Sequence, residues 1–427
     1  MFERILFNQW GRFSKAIVPL TPLTLLMGAS ATGKTQLLEG VRLLSWLAKG
    51  QPLDRLEELV GHTGHHRVRG LIEDLPKAGA NRFGLACSGT QADVEFQMGM
   101  MLEIQAGGSV RLVYEHLKEI RGTEPRTLYQ AAPGSKGRLK VDLDASGQPD
   151  SRQRVTLDDR HPLFARCAGL GGVDGAADHR IAKGCAVVQQ WLTSVVDLDF
   201  DLAAMRAYGS TQAQVLQPDG GNLSGVLYRL WGGERPEGEL THAEQVQRAD
   251  ICAALQILPG LEQAMPGFVL GGRGDVVVRI RESMNDAVPS YDVSRFSDGQ
   301  LRVLGLMAAL LSCPESTLVV MDGIDSMLYP QIAPHLLQHI QTVAQRRHLR
   351  VLLVGRDPAL LDALPDSALA DALLCHRDNS AIASRVVRLG DLSDHPGRLA
   401  AGPVGHLLTR GVLERFANIV RVSGVPS

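Results

Sequence analysis

The first 48 residues combine two kinds of hydrophobic pattern. Residues 17–27 form a run rich in Leu, Val and Thr, and residues 28–33 are small and bounded by glycines. A continuous apolar run that ends at a glycine predicts a buried strand, and a 3.6-residue period predicts a helix. In Lys34–Ala48 the apolar positions follow that period, at Leu37, Leu38, Val41, Leu44 and Leu47. For residues 1–48 we therefore expect two strands, a glycine loop and a helix.

Short β-like runs separated by glycine turns follow between residues 82 and 143. They cover residues 82–87, Val94–Ile104, residues 110–114 and residues 138–143, and they predict antiparallel strands. Residues 131–180 show little sustained periodicity and are expected to be rich in loops. Helical patterns dominate residues 182–261, notably residues 187–196 and 223–231. The middle of the chain thus divides into a β-rich part and a helical part.

Strands and helices alternate in the last third of the chain. Asp275–Arg281, residues 318–321 and Arg350–Val354 have strand patterns, and helices are predicted for residues 299–311, 333–347 and 358–364. Such alternation is typical of a parallel sheet covered by helices. We expect an α/β fold with a mostly parallel sheet, formed by residues 1–70 and 271–427. An antiparallel β lobe is expected at residues 71–150, and a loop-rich and helical subdomain at residues 151–270.

Composition narrows the class of partner. The 427-residue chain is 44% hydrophobic and 21% charged, which is typical of soluble globular proteins. Lys and Arg (44) nearly balance Asp and Glu (46), so no overall positive field favours a nucleic acid or a membrane surface. The sequence has no run of about 18 apolar residues that would predict a membrane span. We expect a cytoplasmic protein without a membrane partner.

The cysteines and one histidine cluster are the candidates for disulfide or metal chemistry. The six cysteines are scattered without a Cys-x-x-Cys pair, and in a chain of this size we expect them to be reduced. His62, His65 and His66 have spacings that align ligands on one face of a helix. Because Gly61 and Gly64 would interrupt that helix, we interpret this segment as a solvated loop.

The glycine loop carries a complete phosphate-binding motif. It reads Gly28, Ala29, Ser30, Ala31, Thr32, Gly33, Lys34 and Thr35, followed by Gln36. In a P-loop of this kind, backbone N–H groups wrap a phosphate at the N terminus of the helix. The lysine reaches the β- and γ-phosphates, and the threonine hydroxyl binds Mg²⁺. Residues 28–36 are therefore predicted to bind a nucleoside triphosphate with Mg²⁺, and Lys34 is a candidate catalytic residue.

Two further motifs follow the P-loop along the chain. The apolar run at residues 318–321 ends in Asp322, which a parallel strand would place at the carboxyl edge of the sheet, where it can bind Mg²⁺. Shortly before it, Ser297, Gly299 and Gln300 open a helix. Ser-Asp-Gly is also a common helix start with no further role. The order of the motifs, and not the residues alone, favours an ATPase signature.

These motifs resemble the RecF/SMC-like branch of ABC-type ATPases, and in particular the compact bacterial AAA family ATP-binding proteins related to OLD nucleases. The resemblance extends over residues 13–47, 216–223 and 405–411. It implies an ABC-type head that binds ATP and Mg²⁺. It also implies a homodimer with ATP sandwiched between two heads, in which Ser297, Gly299 and Gln300 contact the nucleotide of the partner.

Two positions depart from the catalytic pattern of that family. Gly323 stands where the family has a glutamate that orients the attacking water, and Arg356 stands where a histidine senses the γ-phosphate. Two hypotheses remain open. In the first, the chain is a slow ATPase in which Asp325 or a partner residue positions water and Arg356 supplies positive charge. In the second, the chain binds ATP, hydrolyses it barely or not at all, and regulates a partner protein.

The resemblance also implies settings and partners. Some relatives carry a nuclease module, whereas the last segment here offers only Asp391, Asp394 and His395, so a separate effector such as a nuclease would perform any cleavage. Relatives act in DNA repair and phage defence, which makes DNA a candidate partner. Candidate contacts to a nucleic-acid backbone, with solvated helix faces as the alternative, are Arg67, Arg69, Arg346, Arg347 and Arg350.

Overall fold

The computed structural model describes residues 1–61, 68–135, 137–144, 152–166, 176–281, 290–327, 329, 331–378, 383–392 and 403–417. The strands are β1 (Phe2–Trp10), β2 (Phe13–Pro19), β3 (Thr24–Met27), β4 (Arg82–Gln91), β5 (Val94–Ile104), β6 (Val110–Arg121), β7 (Glu124–Pro133), β8 (Arg138–Asp144), β9 (Arg152–Asp158), β10 (Val195–Leu198), β11 (Gly209–Ser210), β12 (Met265–Leu270), β13 (Asp275–Arg281), β14 (Ser290–Asp292), β15 (Leu318–Asp322), β16 (Arg350–Val354), β17 (Leu373–Asp378) and β18 (Ala383–Arg388). The α-helices are α1 (Lys34–Ala48), α2 (Ala176–Thr193), α3 (Leu202–Met205), α4 (Leu223–Leu230), α5 (His242–Ile257), α6 (Asp298–Ser312), α7 (Ala333–Arg346), α8 (Ala359–Asp362), α9 (Asp366–Leu369), α10 (Val404–Thr409) and α11 (Val412–Ala417).

One large mixed sheet organises the chain. Its fourteen strands follow the order β10-β15-β16-β3-β17-β18-β2-β1-β4-β5-β6-β7-β8-β9. From β10 to β17 all neighbours are parallel. The carboxyl ends of these strands therefore meet at one edge, which is where open α/β sheets bind ligands. The smaller sheet of β11 to β14 is antiparallel.

Helices cover both faces of the parallel strands. In β15, Val319 and Met321 belong to the hydrophobic core that contains α4 to α7, whereas Leu318 and Val320 belong to the core that contains α1. A strand buried on both faces reads as a continuous apolar run, and this explains the sequence pattern before Asp322. The predicted α/β class, with helices over a sheet and a smaller antiparallel part, is confirmed.

The predicted antiparallel strands are present, and they continue the large sheet. β4 pairs with β1, and β5 to β9 follow by successive antiparallel pairing. The expectation of loop for residues 131–180 is wrong for β9, which pairs with β8 along its whole length. This edge strand has only Val155 and Leu157 as apolar residues, both half-buried, so its periodicity is weak. The proposed domain boundaries stay a prediction.

The helical pattern predicted for residues 187–196 merges two elements. α2 ends at Thr193, and β10 begins at Val195. Because β10 has only four residues, its apolar positions continue the helical pattern of α2, and the pattern alone does not separate the two elements. The carboxyl end of β10, which lies next to Asp322, is therefore not predicted from the sequence.

The structure bears on the expectations about the cysteines, the histidine cluster and a membrane span. Cys87, Cys252, Cys313 and Cys375 are free. Cys185 is disulfide-bonded, so the prediction of reduced cysteines is wrong there. The histidine cluster at residues 62–66 lies outside the described residues, as does Cys167. Within the described part of the chain, no helix is long and apolar enough to cross a membrane.

Candidate nucleotide-binding site

The P-loop connects the buried strand β3 to helix α1, as predicted. Gly28 follows β3 directly, and a Cβ atom at this position would lie 2.1 Å from the carbonyl oxygen of Cys375 on β17. Residue 28 must therefore be glycine for the loop to lie against the sheet. Gly33 is the N-cap of α1, and Lys34 is its first residue. Ala31 takes a left-handed conformation with φ of 63°, which is rare for a residue with a side chain.

Lys34 lies inside the loop, with 6% of its surface exposed. Its Nζ donates hydrogen bonds to the backbone carbonyls of Gly28 and Ala29, the latter at 2.8 Å. Burial lowers the pKa of the ammonium group, and the positive charge of Arg356 lowers it further. Two cationic side chains thus face the same loop, which favours an anionic ligand there.

Thr35 and Asp322 bring the two predicted metal ligands together. The Thr35 hydroxyl donates to Oδ2 of Asp322 at 3.2 Å, although the residues are 287 positions apart in the chain. Asp322 ends β15, and Thr35 lies in the first turn of α1. A hydroxyl and a carboxylate are hard oxygen donors, and Mg²⁺ is typically bound by one or two such groups plus phosphates and water. This donor pair fits Mg²⁺.

Gly323 replaces the expected glutamate at a special backbone conformation. Its φ is 73° and its ψ is 40°, in the left-handed region that favours glycine. Its N–H donates to the carbonyl of Val354, so the turn is fixed to β16. The space beside its Cα is open, since a Cβ atom built there meets no heavy atom within 4 Å. A side chain fits sterically at this position but strains the backbone.

Asp325 joins the turn after β15 to the turn after β16. Its Oδ1 accepts the backbone N–H of Arg356 at 2.8 Å and of Asp357 at 3.1 Å, and its Oδ2 lies 3.0 Å from the Arg356 nitrogen. The carboxylate therefore positions the backbone that carries Arg356. A water-orienting role for Asp325 remains a prediction.

Two adjoining cavities surround these residues. The smaller, of about 260 Å³, is lined by Arg12, Ser30, Ala31, Thr32, Gly33, Lys34, Thr35, Gln36, Asp322 and Arg356. The larger, of about 660 Å³, is lined by Thr35, Arg42, Arg69, Leu198, Asp199, Phe200, Arg302, Met321, Asp322, Gly323, Asp325, Ser326 and Arg356. All four candidate catalytic residues line one or both cavities. Seven of the residues 28–36 line the smaller cavity.

The candidate signature residues lie outside both cavities. Ser297 caps α6, with its hydroxyl accepting the N–H of Gln300 at 3.3 Å and the Gln300 side chain accepting the N–H of Ser297 at 3.0 Å. This capping box gives Ser297 and Gln300 a structural role within their own chain. Gly299 is open to its surroundings, because a Cβ atom there would lie 3.9 Å from the nearest atom, the carbonyl of Met327. These residues do not contact the P-loop of their own chain.

Several cavity residues were not identified from the sequence. Arg12 lies in the β1–β2 turn and lines the smaller cavity, and Arg302 on α6 lines the larger one. Arg42 forms an ion pair with Asp197. Arg42 lies seven positions after Thr35 on α1, and this spacing places both on one helix face. That spacing is the signal that would have identified Arg42.

The candidate nucleic-acid contacts are engaged within the chain. Arg346 pairs with Asp250, Arg347 donates to the carbonyls of Leu310 and Cys313, and Arg350 donates to the carbonyl of Phe2. Arg69 pairs with the buried Glu39. These contacts favour a structural role for the four arginines. Arg67 lies outside the described residues.

The candidate nuclease residues are only partly described. Asp391 forms an ion pair with Arg388 at 3.5 Å, and Asp394 and His395 lie outside the described residues. In the described part of the chain, no group of three or more His, Cys, Asp or Glu residues could hold a metal ion.

Comparison with known proteins gives one family match. A family model described as "AAA domain, putative AbiEii toxin, Type IV TA system" matches residues 197–362. No curated protein matches the chain.

Solved structures that are similar to the chain at low sequence identity include three SMC heads. The SmcHead bound to the C-winged helix domain of ScpA has 11% identity and a TM-score of 0.47, with 90% of this chain and 97% of that chain covered. The SMC head domain from Thermotoga maritima has 10% identity and a TM-score of 0.43, with 91% and 98% covered. An Smc head with an extended coiled coil, bound to the C-terminal domain of ScpA derived from Pyrococcus furiosus, has 11% identity and a TM-score of 0.41, with 93% and 99% covered.

The matched segment connects the family to the site. It runs from β10 to α8 and contains the candidate signature, Asp322 and Arg356. The P-loop lies outside this segment and contacts it through Thr35 and Asp322. The expected resemblance to AAA family ATP-binding proteins is confirmed over residues 197–362, the segment that matches the AAA domain model.

Proposed function

We propose that the chain binds ATP with Mg²⁺ at the P-loop, pairs with a second copy around the bound nucleotide, and hydrolyses ATP slowly. The observation that carries this proposal is the contact between Thr35 and Asp322, made beside the buried Lys34. It supports a site in which residues 28–36 hold the phosphates while Thr35 and Asp322 hold the metal. Magnesium would neutralise phosphate charge and fix the geometry of the γ-phosphate.

Slow turnover is proposed because the groups that act on water are changed. Gly323 provides no carboxylate, and Asp325 binds the backbone amides of Arg356 and Asp357. Loss of a group that orients water or takes its proton commonly lowers turnover by about 10² to 10⁴. The same observations favour a second candidate function, in which the chain is a nucleotide-gated module that does not hydrolyse ATP and regulates a partner.

Nucleotide binding is tested by calorimetry with ATP and Mg²⁺ on the wild type and on Lys34→Ala. Lys49→Ala is the matched control, because Lys49 is an exposed lysine at the other end of α1. We expect Lys34→Ala to weaken ATP binding by about 100-fold, since it removes a buried charge that contacts phosphate. The control should bind as the wild type does. Equal affinities for the wild type and Lys34→Ala would contradict the proposed site.

Pairing of two heads is proposed from the candidate signature. The N terminus of α6 carries a positive partial charge, and Ser297 and Gly299 do not contact their own P-loop, so they are available to the nucleotide of a second copy. Light scattering with a non-hydrolysable ATP analogue and Mg²⁺ measures this pairing. Ser297→Asp keeps a good N-cap but adds a negative charge that would face the partner's γ-phosphate.

We expect the wild type to form a dimer only with the analogue, and Ser297→Asp to remain a monomer that still binds nucleotide. Gln91→Glu adds a charge at the exposed tip of the β4–β5 hairpin and serves as the control that still dimerises. A wild type that stays monomeric at saturating analogue would contradict the pairing.

A cytoplasmic effector protein, such as a nuclease, is the proposed partner of the paired heads, with DNA as a further candidate. DNA repair or phage defence is the proposed setting. The internal contacts of Arg346, Arg347 and Arg350 do not support a DNA-binding surface at these positions. Fluorescence anisotropy with duplex DNA at increasing salt, with and without nucleotide, tests whether DNA binds, because phosphate contacts weaken steeply with salt.

A further inference from the structure

The edge strand β10 places a carboxylate next to Asp322. β10 and β15 are parallel and in register, with Val195 opposite Leu318 and Leu198 opposite Met321. Asp199 follows Leu198 just as Asp322 follows Met321. Since neighbouring strands lie about 4.8 Å apart, the two aspartates leave the sheet at the same level on the same edge.

Asp199 and Asp322 share one cavity. Both line the larger cavity beside the P-loop, together with Thr35 and Asp325. The N–H of Asp199 donates to the carbonyl of Pro218 at 3.0 Å, which fixes the backbone of this turn. The side chain lies close enough to Arg42 to raise the pKa of that guanidinium. Asp199 is thus a charged group at a fixed position on the wall of this cavity.

The carboxylates of Asp199, Asp322 and Asp325 in this cavity have different surroundings. Asp322 accepts a hydrogen bond from Thr35, and Asp325 accepts the backbone amides of Arg356 and Asp357. Asp199 is an exposed residue, and it lies on the far side of Asp322 from the P-loop, because β10 is the edge strand next to β15. Asp199 therefore lies on the side of Asp322 away from the P-loop, in the cavity that Thr35 and Asp322 also line.

We propose that Asp199 is a third protein group of the metal site and contacts, through bound water, the Mg²⁺ that Thr35 and Asp322 hold. Mg²⁺ gives up its water reluctantly and usually keeps several water ligands. A carboxylate in the outer shell accepts hydrogen bonds from such waters and orients them. This inference rests on the proposed binding of ATP with Mg²⁺.

The test uses Mn²⁺ as the probe and the non-hydrolysable ATP analogue as the nucleotide. Free Mn²⁺ is measured by electron paramagnetic resonance during titration of the full chain. We expect Asp199→Asn to weaken Mn²⁺ binding by about 10-fold, which is the usual cost of removing an outer-shell partner. Binding of the analogue without metal should be unchanged, because Asp199 lines the larger cavity and not the smaller one around the P-loop.

Asp201→Asn is the matched control in the same turn. The Asp201 side chain caps α3 by accepting the N–H groups of Ala203 and Ala204, and asparagine is an equally good cap. This variant should bind Mn²⁺ as the wild type does. Asp199→Glu keeps the charge and should recover part of the lost affinity, which separates the contact to the metal from a general effect on the turn.

The outcomes separate this inference from the proposed function. Equal Mn²⁺ affinity of the wild type and Asp199→Asn, in a chain that binds the analogue, would overturn the role of Asp199 alone. A similar loss in Asp199→Asn and Asp201→Asn would also overturn it, because the effect would then belong to the turn. A wild type that binds neither the analogue nor Mn²⁺ would overturn the proposed function together with this inference.

Discussion

The phosphate-binding loop and the turn after β15 differ in how closely they keep the pattern expected of an ATPase. In the loop, Gly28 is required by the sheet, Lys34 is buried, and Thr35 contacts Asp322. In the turn, Gly323 lacks a carboxylate, and Asp325 is bound to backbone amides. In the proposed function, phosphate binding and activation of water would belong to separate segments, so the second could be altered while the first stays intact.

The largest effect is expected from restoring the carboxylate at position 323. Gly323→Glu should raise phosphate release by about 100-fold, because a water-orienting carboxylate contributes at least that much and the space beside Gly323 is open. Steady-state phosphate release measures this. Gly323→Asn is the control, since asparagine tolerates the left-handed conformation better than most residues.

The strain at position 323 is checked separately. A glutamate in the left-handed region should lower the free energy of unfolding by about 1 kcal/mol, which denaturant titration measures. If Gly323→Glu and Gly323→Asn release phosphate at the wild-type rate while still folded and bound to ATP, then the missing carboxylate is not what limits turnover. The proposed difference between the phosphate-binding loop and the turn after β15 would then not explain slow turnover.

A smaller effect is expected from Arg356. Its side chain is exposed and lines both cavities, and its charge acts on Lys34. Arg356→Ala should weaken ATP binding by about 10-fold and ADP binding much less, because only ATP carries the γ-phosphate. Competition with a fluorescent nucleotide measures both affinities. Arg273→Ala, at an exposed turn of the small sheet, is the control.

An equal loss of affinity for ATP and ADP in Arg356→Ala would show that Arg356 does not distinguish the γ-phosphate. Its place in the hydrolytic segment would then be wrong, and it would belong with the phosphate-binding loop.

The smallest effect on nucleotide chemistry is expected from Glu115 in the antiparallel strands. Its buried carboxylate accepts hydrogen bonds from the Tyr129 hydroxyl and from the N–H groups of Leu163 and Phe164. Burial raises the pKa of Glu115 to about 7 from an ordinary 4.5. The folded chain then holds this proton to higher pH than the unfolded chain, so its contribution to stability is full below pH 4.5 and is lost as pH rises to about 7.

Glu115→Gln should remove this pH dependence of the unfolding free energy while leaving ATP affinity unchanged. Urea unfolding between pH 4.5 and 7.5, with calorimetry at both ends, measures the two quantities. A change in ATP affinity would mean that the antiparallel strands take part in the nucleotide site.

The candidate phosphate-binding segment can be recognised from the sequence because its motif is contiguous. Residues 28–35 are contiguous, and the strand before them and the helix after them have clear periods. Asp322 was also identified, since a strand buried on both faces gives a continuous apolar run. The pairing of Thr35 with Asp322 then follows from the parallel order of the strands.

Other parts of the site could not be predicted because they depend on tertiary pairing. Asp199 could not be predicted because β10 has only four residues, and its apolar positions continue the pattern of the preceding helix. Asp325 contacts Arg356 and Asp357, which lie 31 and 32 residues further along the chain in a different turn. No periodicity in the sequence predicts such a contact. Gly323 was recognised as a missing glutamate, whereas its left-handed conformation depends on the turn.

The most direct test of the central claim is a single turnover with the wild-type chain in excess over labelled ATP and with Mg²⁺ present. The nucleotide that stays on the protein and the phosphate that is released are followed together. We predict that ATP binds fully and that phosphate appears at least about 100-fold more slowly than the 1 to 100 s⁻¹ typical of efficient phosphoryl transfer. Release within that typical range, abolished by Lys34→Ala, would contradict the account.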